Sequence, residues 1–192
     1  MMEPEVDSER RRFLVSATAV VGGVGVAFAA APFLASWAPS ARTQSLGAPI
    51  EVDISKIAPG QKITVSWRGQ PIFIVNRTKA FLKTLAQQDM LRDPESLESK
   101  QPEYAQNPLR SIKEQFLVVT GICTHLGCVP LFKPKAKSVD ASWIGGLFCP
   151  CHGSKYDMAG RVYKGVPAPT NLTIPPHHYI GDTVLRIGEH GA

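Results

Sequence analysis

The chain has few cysteines and no strong excess of charge of either sign. Each of these features excludes a class of function. Its 192 residues carry a formal net charge of +5, and the basic residues are spread along the chain rather than gathered into an aromatic-interleaved stripe. We therefore predict no nucleic-acid binding. Only four cysteines are present, and their spacing is not that of the four thiolates that hold a ferredoxin cluster. The length allows one domain of ordinary size plus an appendage.

All four cysteines lie in two short stretches, and each stretch also carries a histidine. The stretches are Cys-Thr-His-Leu-Gly-Cys at 123–128 and Cys-Pro-Cys-His-Gly-Ser at 149–154. They offer six candidate ligands, whereas a mononuclear zinc site usually takes four and separates the members of a cysteine pair by two residues. One cysteine and one histidine from each stretch suit a [2Fe–2S] centre in which thiolates hold one iron and imidazoles the other. A zinc site and purely structural cysteines are the alternatives.

The two stretches resemble the boxes of the Rieske iron–sulfur family, C-T-H-x-G-C and C-P-C-H-G-S. The resemblance implies one [2Fe–2S] cluster of the Rieske type, with two cysteine and two histidine ligands. The implied metal ligands are Cys123 and Cys149 on one iron, and His125 and His152 on the other. The remaining cysteines, Cys128 and Cys151, are implied to form a disulfide that joins the two loops.

Residues beyond the second box carry the resemblance further. Ser154 and Tyr156 match the hydroxyl positions that donate hydrogen bonds to cluster sulfurs in high-potential members of the family. Such donors stabilise the additional negative charge of the reduced cluster and so raise its potential. The alternatives are a turn hydroxyl for Ser154 and a half-buried core aromatic for Tyr156. Gly165 and Pro167 belong to a stretch that resembles the family's Gly-Pro-Ala-Pro covering loop, with Val166 as an additional residue.

The N-terminal part of the sequence predicts a membrane anchor. Residues 13–37 form an uncharged apolar run that as a helix would rise about 37 Å, enough to cross a hydrocarbon core of about 30 Å. The preceding arginines at 10–12, followed by Phe-Leu, resemble a twin-arginine export signal and place residues 1–12 in the cytoplasm. A cleaved signal peptide is the alternative, but its apolar region would be about 7–15 residues long.

Residues 38–48 are small and polar and predict a flexible linker, which the resemblance implies is a hinge.

From residue 49 onward the pattern is that of β-structure. Apolar residues alternate with polar ones at 50–54 and 63–67, and an apolar run at 72–75 follows a turn, which predicts three short antiparallel strands. Further strands are predicted to lead into and follow the boxes, at 116–120, 143–148, 160–163, 174–176 and 183–187. The predicted fold class is all-β: a Rieske-type antiparallel β-sandwich with a small cluster-binding subdomain, plus one N-terminal transmembrane helix.

Within this Rieske domain, predicted over 49–192, the cluster-binding part spans about 118–172. Residues 78–114 lack alternation and contain several prolines, so we interpret them as an insertion with short helical pieces around 79–91 and no chemistry of its own. His177 and His178 lie outside both boxes. We expect them at the surface and not as ligands.

The resemblance also implies a function. In the respiratory members, the cluster accepts one electron from ubiquinol, and a proton passes to an exposed ligand imidazole. Here that imidazole is mainly His152, with His125 also near the surface. The implied partners are cytochrome b and cytochrome c1 subunits in a dimeric complex. The implied location is a bacterial inner membrane, with a single span and the cluster domain on the periplasmic, oxidising side, where a disulfide persists.

Three other functions stay open at this point. The first is the small Rieske subunit of a periplasmic oxidase such as arsenite oxidase, which the long insertion and the retained anchor disfavour. The second is a Rieske ferredoxin that serves a cytoplasmic dioxygenase, a class that lacks the disulfide cysteines and the membrane segment. The third is a membrane-anchored zinc-binding module without redox function.

Overall fold

The N-terminal part of the chain is a long helix. The computed structural model describes residues 7–87 and 89–190, and the chain divides after Ser45 into two compact units. In the first unit, helix α1 (Ser8–Ala35) begins where the Asp7 carboxylate accepts the N–H groups of Glu9 and Arg10 at 3.1 and 3.2 Å, a side-chain N-cap. Within the described residues, α1 is the one helix long and apolar enough to cross a membrane.

The bounds of α1 differ from those predicted for the anchor. The helix includes the arginines before the apolar run, because the cap at Asp7 lies upstream of them, and it ends at Ala35 instead of residue 37. Residues 1–6 of the predicted cytoplasmic segment lie outside the described residues.

The predicted flexible linker contains a second helix, α2 (Ala41–Gly47). Its first turn is stabilised by Ser40, whose Oγ accepts the N–H of Thr43 at 3.2 Å. This helix has no buried residue, and it therefore leaves no apolar periodicity in the sequence by which it could be predicted. The linker and the hinge that we predicted for 38–48 remain predictions.

In the described part of the second unit, nine strands form three antiparallel sheets of three strands each. The base sheet has the order β1–β9–β8, with β1 at Ile50–Asp53, β8 at His177–Ile180 and β9 at Val184–Ile187. The central sheet consists of β2 (Lys62–Trp67), β3 (Gln70–Asn76) and β4 (Phe116–Thr120). The third sheet consists of β5 (Leu131–Lys133), β6 (Gly146–Phe148) and β7 (Lys155–Tyr156).

The central sheet is covered on both faces, and this position makes the unit a sandwich. Ile72, Ile74 and Val118 pack toward the base sheet, in one apolar cluster with Leu185 and Ile187. The alternate residues of β3 and β4 pack toward the third sheet, in a cluster that contains Phe73, Val75, Leu117, Val119, Cys123, Leu147, Cys149 and Tyr156. Two buried faces explain why β3 and β4 have continuous apolar runs. The predicted all-β sandwich is thus confirmed.

The predicted strand β1 forms, and its partner lies far along the chain. It pairs antiparallel with β9, Ile50 opposite Ile187 and Asp53 opposite Val184. Alternation in a sequence predicts that a strand exists but not its partner, and here the partner comes from the far end of the chain. The β2–β3 hairpin is as predicted, and its turn places Arg68 and Gly69 at φ of 52° and 72°, as a type I′ turn requires.

The insertion contains little regular structure among its described residues. Its helix α3 (Lys79–Thr84) is shorter than predicted, and a 3-10 turn spans Glu103–Ala105. Tyr104 in this turn packs edge-on against His177, with ring centroids 5.4 Å apart. His177 is only 1% exposed, so the surface position predicted for it is wrong. A turn of the insertion covers it, which local sequence does not reveal.

Candidate metal centre

The first cysteine-containing loop follows β4 and is closed by its own backbone. The Cys123 N–H donates to the Cys128 carbonyl at 2.7 Å, and the Gly127 N–H donates to the Cys123 carbonyl at 3.0 Å. Gly127 adopts a φ of +84°, in the left-handed region where a Cβ is unfavourable. The backbone conformation at this position therefore explains why the first box has a glycine there.

The second loop follows β6 and repeats this geometry. The Cys149 N–H donates to the Ser154 carbonyl at 2.8 Å, and the Gly153 N–H donates to the Cys149 carbonyl at 3.0 Å. Gly153 has a φ of +77°. Each loop thus brings its first cysteine to the base of a tight turn and its histidine to the tip, although the histidines stand at different offsets from those cysteines.

The four cysteines divide into two free thiols and one disulfide. Cys123 and Cys149 are free and buried, whereas Cys128 and Cys151 are joined by a disulfide that links the two loops. The Sγ atoms of Cys149 and of the two disulfide cysteines lie within 4.8 Å of one another. Because disulfide sulfurs are not thiolates, the thiols left to bind a metal are those of Cys123 and Cys149.

The histidines of the two boxes meet at the tip of the loops. The rings of His125 and His152 are 4.8 Å apart between centroids and nearly perpendicular, at 89°. His152 is exposed and His125 is half-buried. The Nδ1 atom of His125 is buried and has no hydrogen-bond partner among the residues that the structure describes. An imidazole nitrogen in that state is free to bind a metal ion.

Tyr156 contacts the first thiol directly. Its hydroxyl oxygen lies 3.2 Å from Cys123 Sγ and accepts the Thr124 N–H at 3.1 Å. The Thr124 hydroxyl donates to the Thr170 carbonyl at 2.7 Å, so its proton is not available to Tyr156. Burial raises the pKa of Tyr156, as does the neighbouring Cys123. The phenol therefore keeps its proton and can donate it to the sulfur.

The two thiols have different pKa values. Burial by itself raises the pKa of Cys123, but hydrogen bonds from the Tyr156 hydroxyl and the His125 backbone outweigh it, so that this pKa lies below its ordinary value. For Cys149 burial dominates, and the interaction with Cys123 acts in the same direction, so its pKa is raised. The donors around Cys123 thus favour a thiolate at that position.

Ser154 ties the second loop to the covering loop. Its Oγ accepts the Ala168 N–H at 3.1 Å, which leaves the hydroxyl proton free to be donated, and Ser154 contributes to lowering the pKa of Cys123. The residue is fully buried. Gly165 and Pro167, which we predicted in the covering loop, are exposed, whereas Val166 between them packs into the core.

Sequence reasoning missed Thr124 and the Ala168 N–H as parts of this centre. Thr124 lies inside the first box, between two predicted ligands, and its hydrogen bonds to Tyr156 and Thr170 connect three loops. Its position in the box was the available signal. No signal in the sequence indicates the backbone N–H of Ala168.

The residues present fit a Rieske [2Fe–2S] group. Two buried free thiols, an orphaned buried imidazole nitrogen and a second imidazole at the surface form the mixed donor set that such a centre takes. A structural zinc site would commonly use closed, buried ligands, and the exposed imidazole of His152 does not match that pattern.

Comparisons with known proteins agree with this assignment. Residues 50–176 match the family described as "Rieske [2Fe-2S] domain", and residues 1–40 match "Ubiquitinol-cytochrome C reductase Fe-S subunit TAT signal". The ubiquinol-cytochrome c reductase iron-sulfur subunit of Allochromatium vinosum is 52% identical over 187 residues, which cover 96% of this chain and 90% of that protein. The subunit of the same name from Blastochloris viridis is 46% identical over 182 residues, covering 95% and 94%.

Among solved structures, a chain of a hyperthermophilic respiratory Complex III is 29% identical, with a TM-score of 0.48, and the match covers 90% of this chain and 98% of that one. The family match extends over most of the second unit, and the two relatives cover nearly the whole chain. The chain therefore belongs to the Rieske iron–sulfur family, among its ubiquinol-cytochrome c reductase iron-sulfur subunits, and its cofactor is a [2Fe–2S] cluster.

Proposed function

We propose that this chain is the electron-accepting subunit of a bacterial cytochrome bc1 complex, which oxidises ubiquinol and passes the electron to cytochrome c1. The observation that carries the proposal is an exposed imidazole, His152, that meets His125 edge-on, on two loops that also carry the two buried free thiols. The names of the relatives from Allochromatium vinosum and Blastochloris viridis support it.

We assign Cys123 and Cys149 as the ligands of one iron and His125 and His152 as the ligands of the other. When bound, the cluster supplies a one-electron acceptor. The thiols are buried, whereas His152 is exposed, so a substrate can reach the imidazole side of the centre and not the thiolate side. Contact through an imidazole also allows a proton and an electron to leave the substrate at the same place.

With the cluster held by these four residues, the outer ring nitrogen of His152 would accept the proton of a quinol hydroxyl, and His125 would line the same contact. Tyr156 and Ser154 donate hydrogen bonds to sulfur on the buried side and favour the additional electron. The disulfide between Cys128 and Cys151 holds the two loops together so that neither histidine is displaced.

Apolar side chains are exposed in the first loop and just after it, and we propose that they form an apolar rim beside the histidines. Leu126 follows His125 in the sequence and is 70% exposed, and Val129 and Leu131 are also exposed. An apolar rim excludes water from the contact when it meets an apolar surface. We therefore assign this rim as the face that contacts the quinol-binding subunit, cytochrome b.

Helix α1 is the membrane anchor in this proposal, and the second unit lies on the periplasmic side. Arginines precede the apolar part of the helix, which favours a cytoplasmic N-terminus. A disulfide is stable on the opposite, oxidising side. Protease added to intact spheroplasts is expected to remove the second unit, and protection of that unit would contradict the orientation.

The functional test is the ubiquinol–cytochrome c reductase activity of membranes from a strain that lacks the gene. Activity is expected to be lost, to return with the wild-type chain, and to return with Lys113→Ala, which removes a surface ion pair with Asp182 and a cation–π contact with Tyr179. The solubilised chain is expected to copurify with b-type haem. Unchanged activity without the gene, or copurification with a molybdenum oxidase in place of b-type haem, would overturn the proposal.

A further inference from the structure

A turn just beyond Tyr156 is buried, although turns usually lie at the surface. The chain reverses at Asp157–Arg161, where the Asp157 N–H donates to the Arg161 carbonyl at 3.0 Å. Every residue of this turn is buried. Because buried backbone groups need hydrogen-bond partners, the three successive carbonyls at 158–160 have to find donors inside the protein.

Two buried arginines supply these donors. Arg77 Nη1 lies 3.3 Å from the Met158 carbonyl, and Arg110 Nη1 lies 3.2 Å from the carbonyls of both Ala159 and Gly160. The forked, planar guanidinium can reach several carbonyls at once, which a lysine cannot. The Met158 and Ala159 carbonyls therefore depend on arginine side chains. The Gly160 carbonyl is shared between Arg110 and the Leu172 N–H, which donates at 2.9 Å.

A third buried arginine closes the turn from inside. The Asp157 carboxylate accepts the N–H groups of Ala159 and Arg161 at 2.8 Å, and its second oxygen accepts Arg161 Nε at 2.8 Å. The other nitrogens of Arg161 donate to the carbonyls of Leu85 and Pro94 in the insertion, at 2.7 and 3.2 Å. The turn and the insertion are thus joined through one side chain.

The first two arginines make the same connection from other positions. Arg77 also donates to the Leu109 carbonyl and to Ser111 Oγ, at 2.8 and 2.7 Å. Arg110, itself in the insertion, also donates to the Leu172 carbonyl at 2.6 Å. Burial lowers the pKa of both Arg77 and Arg110 to about 10, so both remain charged at neutral pH. Arg110 holds this position with a φ of 50°, unfavourable for a residue with a Cβ.

The buried turn controls where Tyr156 lies. Tyr156 is the last residue of β7 and directly precedes the turn. Its backbone pairs with Leu147 on one side and with Val162, across the turn, on the other. A movement of the turn would therefore move Tyr156, whose hydroxyl lies 3.2 Å from Cys123 Sγ. Hydrogen bonds weaken steeply with small changes of distance and angle.

We propose that Arg77, Arg110 and Arg161 are positioning residues that lock the insertion onto the Asp157–Arg161 turn and thereby hold the Tyr156 hydroxyl against the cluster ligand Cys123. The insertion then has a function at the redox centre, although it contributes no ligand. This inference rests on the role of Tyr156 given under Proposed function.

The test is a double-mutant cycle on the midpoint potential. Arg110→Lys keeps the positive charge but removes the forked guanidinium that reaches several carbonyls. Tyr156→Phe removes the hydroxyl that lies beside Cys123 Sγ. The potential is measured by redox titration with electron paramagnetic resonance in membranes that contain the full chain, so that only molecules with a cluster are counted. In the wild-type background, Arg110→Lys is expected to lower the equilibrium constant for one-electron reduction of the cluster about three- to tenfold. A tenfold decrease corresponds to a midpoint potential that is lower by about 59 mV. Arg110→Lys is expected to have no further effect in the Tyr156→Phe background.

Arg186→Lys is the matched control, since Arg186 lies at the surface and pairs with Glu189 and Glu51. It is expected to leave the potential unchanged. If Arg110→Lys retains too little cluster, Arg77→Lys and hydrogen exchange provide a second test. Peptides that cover residues 155–163 are expected to exchange faster in both variants than in Arg186→Lys, and equal exchange would overturn the proposal.

The outcomes separate this inference from the function it rests on. An unchanged potential in Tyr156→Phe alone would overturn the assigned role of Tyr156, and this inference with it. A shift in Tyr156→Phe together with no shift in Arg110→Lys would overturn the positioning role alone. Additive shifts in the double variant would also overturn it, because the arginine would then act without Tyr156. A shift that disappears in the Tyr156→Phe background supports the proposal.

Discussion

The hydroxyl oxygen of Tyr156, at the end of strand β7, lies 3.2 Å from the sulfur of Cys123, a residue 33 positions earlier in the sequence. The Thr124 N–H donates to the same oxygen, and this contact orients the phenol so that its proton remains for the sulfur or the adjacent Thr124 hydroxyl. Of these two acceptors, the Cys123 thiolate forms the stronger hydrogen bond because it is charged, whereas the Thr124 hydroxyl is neutral. The hydrogen bond to sulfur strengthens when the centre gains negative charge.

Tyr156→Phe is accordingly expected to lower the midpoint potential while the cluster stays in place. Loss of one hydrogen bond that favours the reduced state corresponds to a decrease on the order of 60 mV, a tenfold change for one electron. Redox titration of the full chain in membranes measures this value, and the spectral intensity measures cluster content. An unchanged potential would mean that Tyr156 only packs.

Leu126→Ala is expected to slow ubiquinol oxidation without changing the potential. The side chain follows His125 in the sequence and is 70% exposed, whereas the two free thiols are buried, so we expect its removal to weaken docking alone. Steady-state reductase activity and the redox titration measure the two effects. Leu97→Ala is the matched control, because Leu97 is 71% exposed but lies on the insertion. Equal activity in both variants would show that the apolar rim is not the docking face.

Gly127→Ala and Gly153→Ala are expected to loosen the loops that carry the ligands. Nothing lies within 4 Å of a Cβ at either position, but both have left-handed φ angles. The penalty is therefore one of backbone strain alone, about 1–2 kcal/mol for each residue. Loss of the visible absorption of the cluster on heating measures the effect, and it is expected at lower temperature in both variants. Gly47→Ala, also open but without a left-handed φ, should behave as the wild type; the same loss there would reject the strain argument.

His177 is expected to make the second unit less stable as the pH falls. Burial lowers its pKa from 6.5 to about 4, against a weaker opposite effect of the Pro175 carbonyl. Below pH 6.5 the unfolded chain binds a proton that the folded chain does not, so the free energy of unfolding decreases from pH 6.5 down to about 4. The decrease reaches about 3 kcal/mol at its largest. Above pH 7 the imidazole is neutral in both states and contributes no pH dependence.

Urea unfolding of the purified chain at pH 7 and pH 5 measures this dependence. His177→Gln is expected to lose less stability than the wild type between these two values, because no proton is taken up at this position. His178→Gln is the control, since His178 is on the same strand but half-exposed. If His177→Gln and the wild type show the same difference between the two pH values, the buried imidazole is not the cause.

The metal centre and the long apolar helix could be predicted from the sequence because their signals are local. The spacing of cysteine and histidine within six residues indicated the metal centre, and an apolar run indicated the helix. The β2–β3 hairpin also followed from adjacent residues, since alternation and an Arg68-Gly69 turn define it.

What could not be predicted depends on contacts between distant parts of the chain. β1 pairs with β9, and the insertion buries His177 beneath Tyr104. Arg110 was placed in a polar loop without chemistry, yet it is fully buried. A charged residue in an aperiodic stretch indicates a solvated loop. Its burial is explained by acceptors that the local sequence does not reveal, among them the carbonyls of Ala159, Gly160 and Leu172.

The most direct test of the account is a redox titration of the full chain in membranes, followed by electron paramagnetic resonance. We expect a rhombic [2Fe–2S] signal with a low average g value and a midpoint potential well above that of the hydrogen electrode. The same signal at a clearly negative potential would contradict quinol oxidation. The absence of any signal from fully metallated protein would contradict the [2Fe–2S] centre itself.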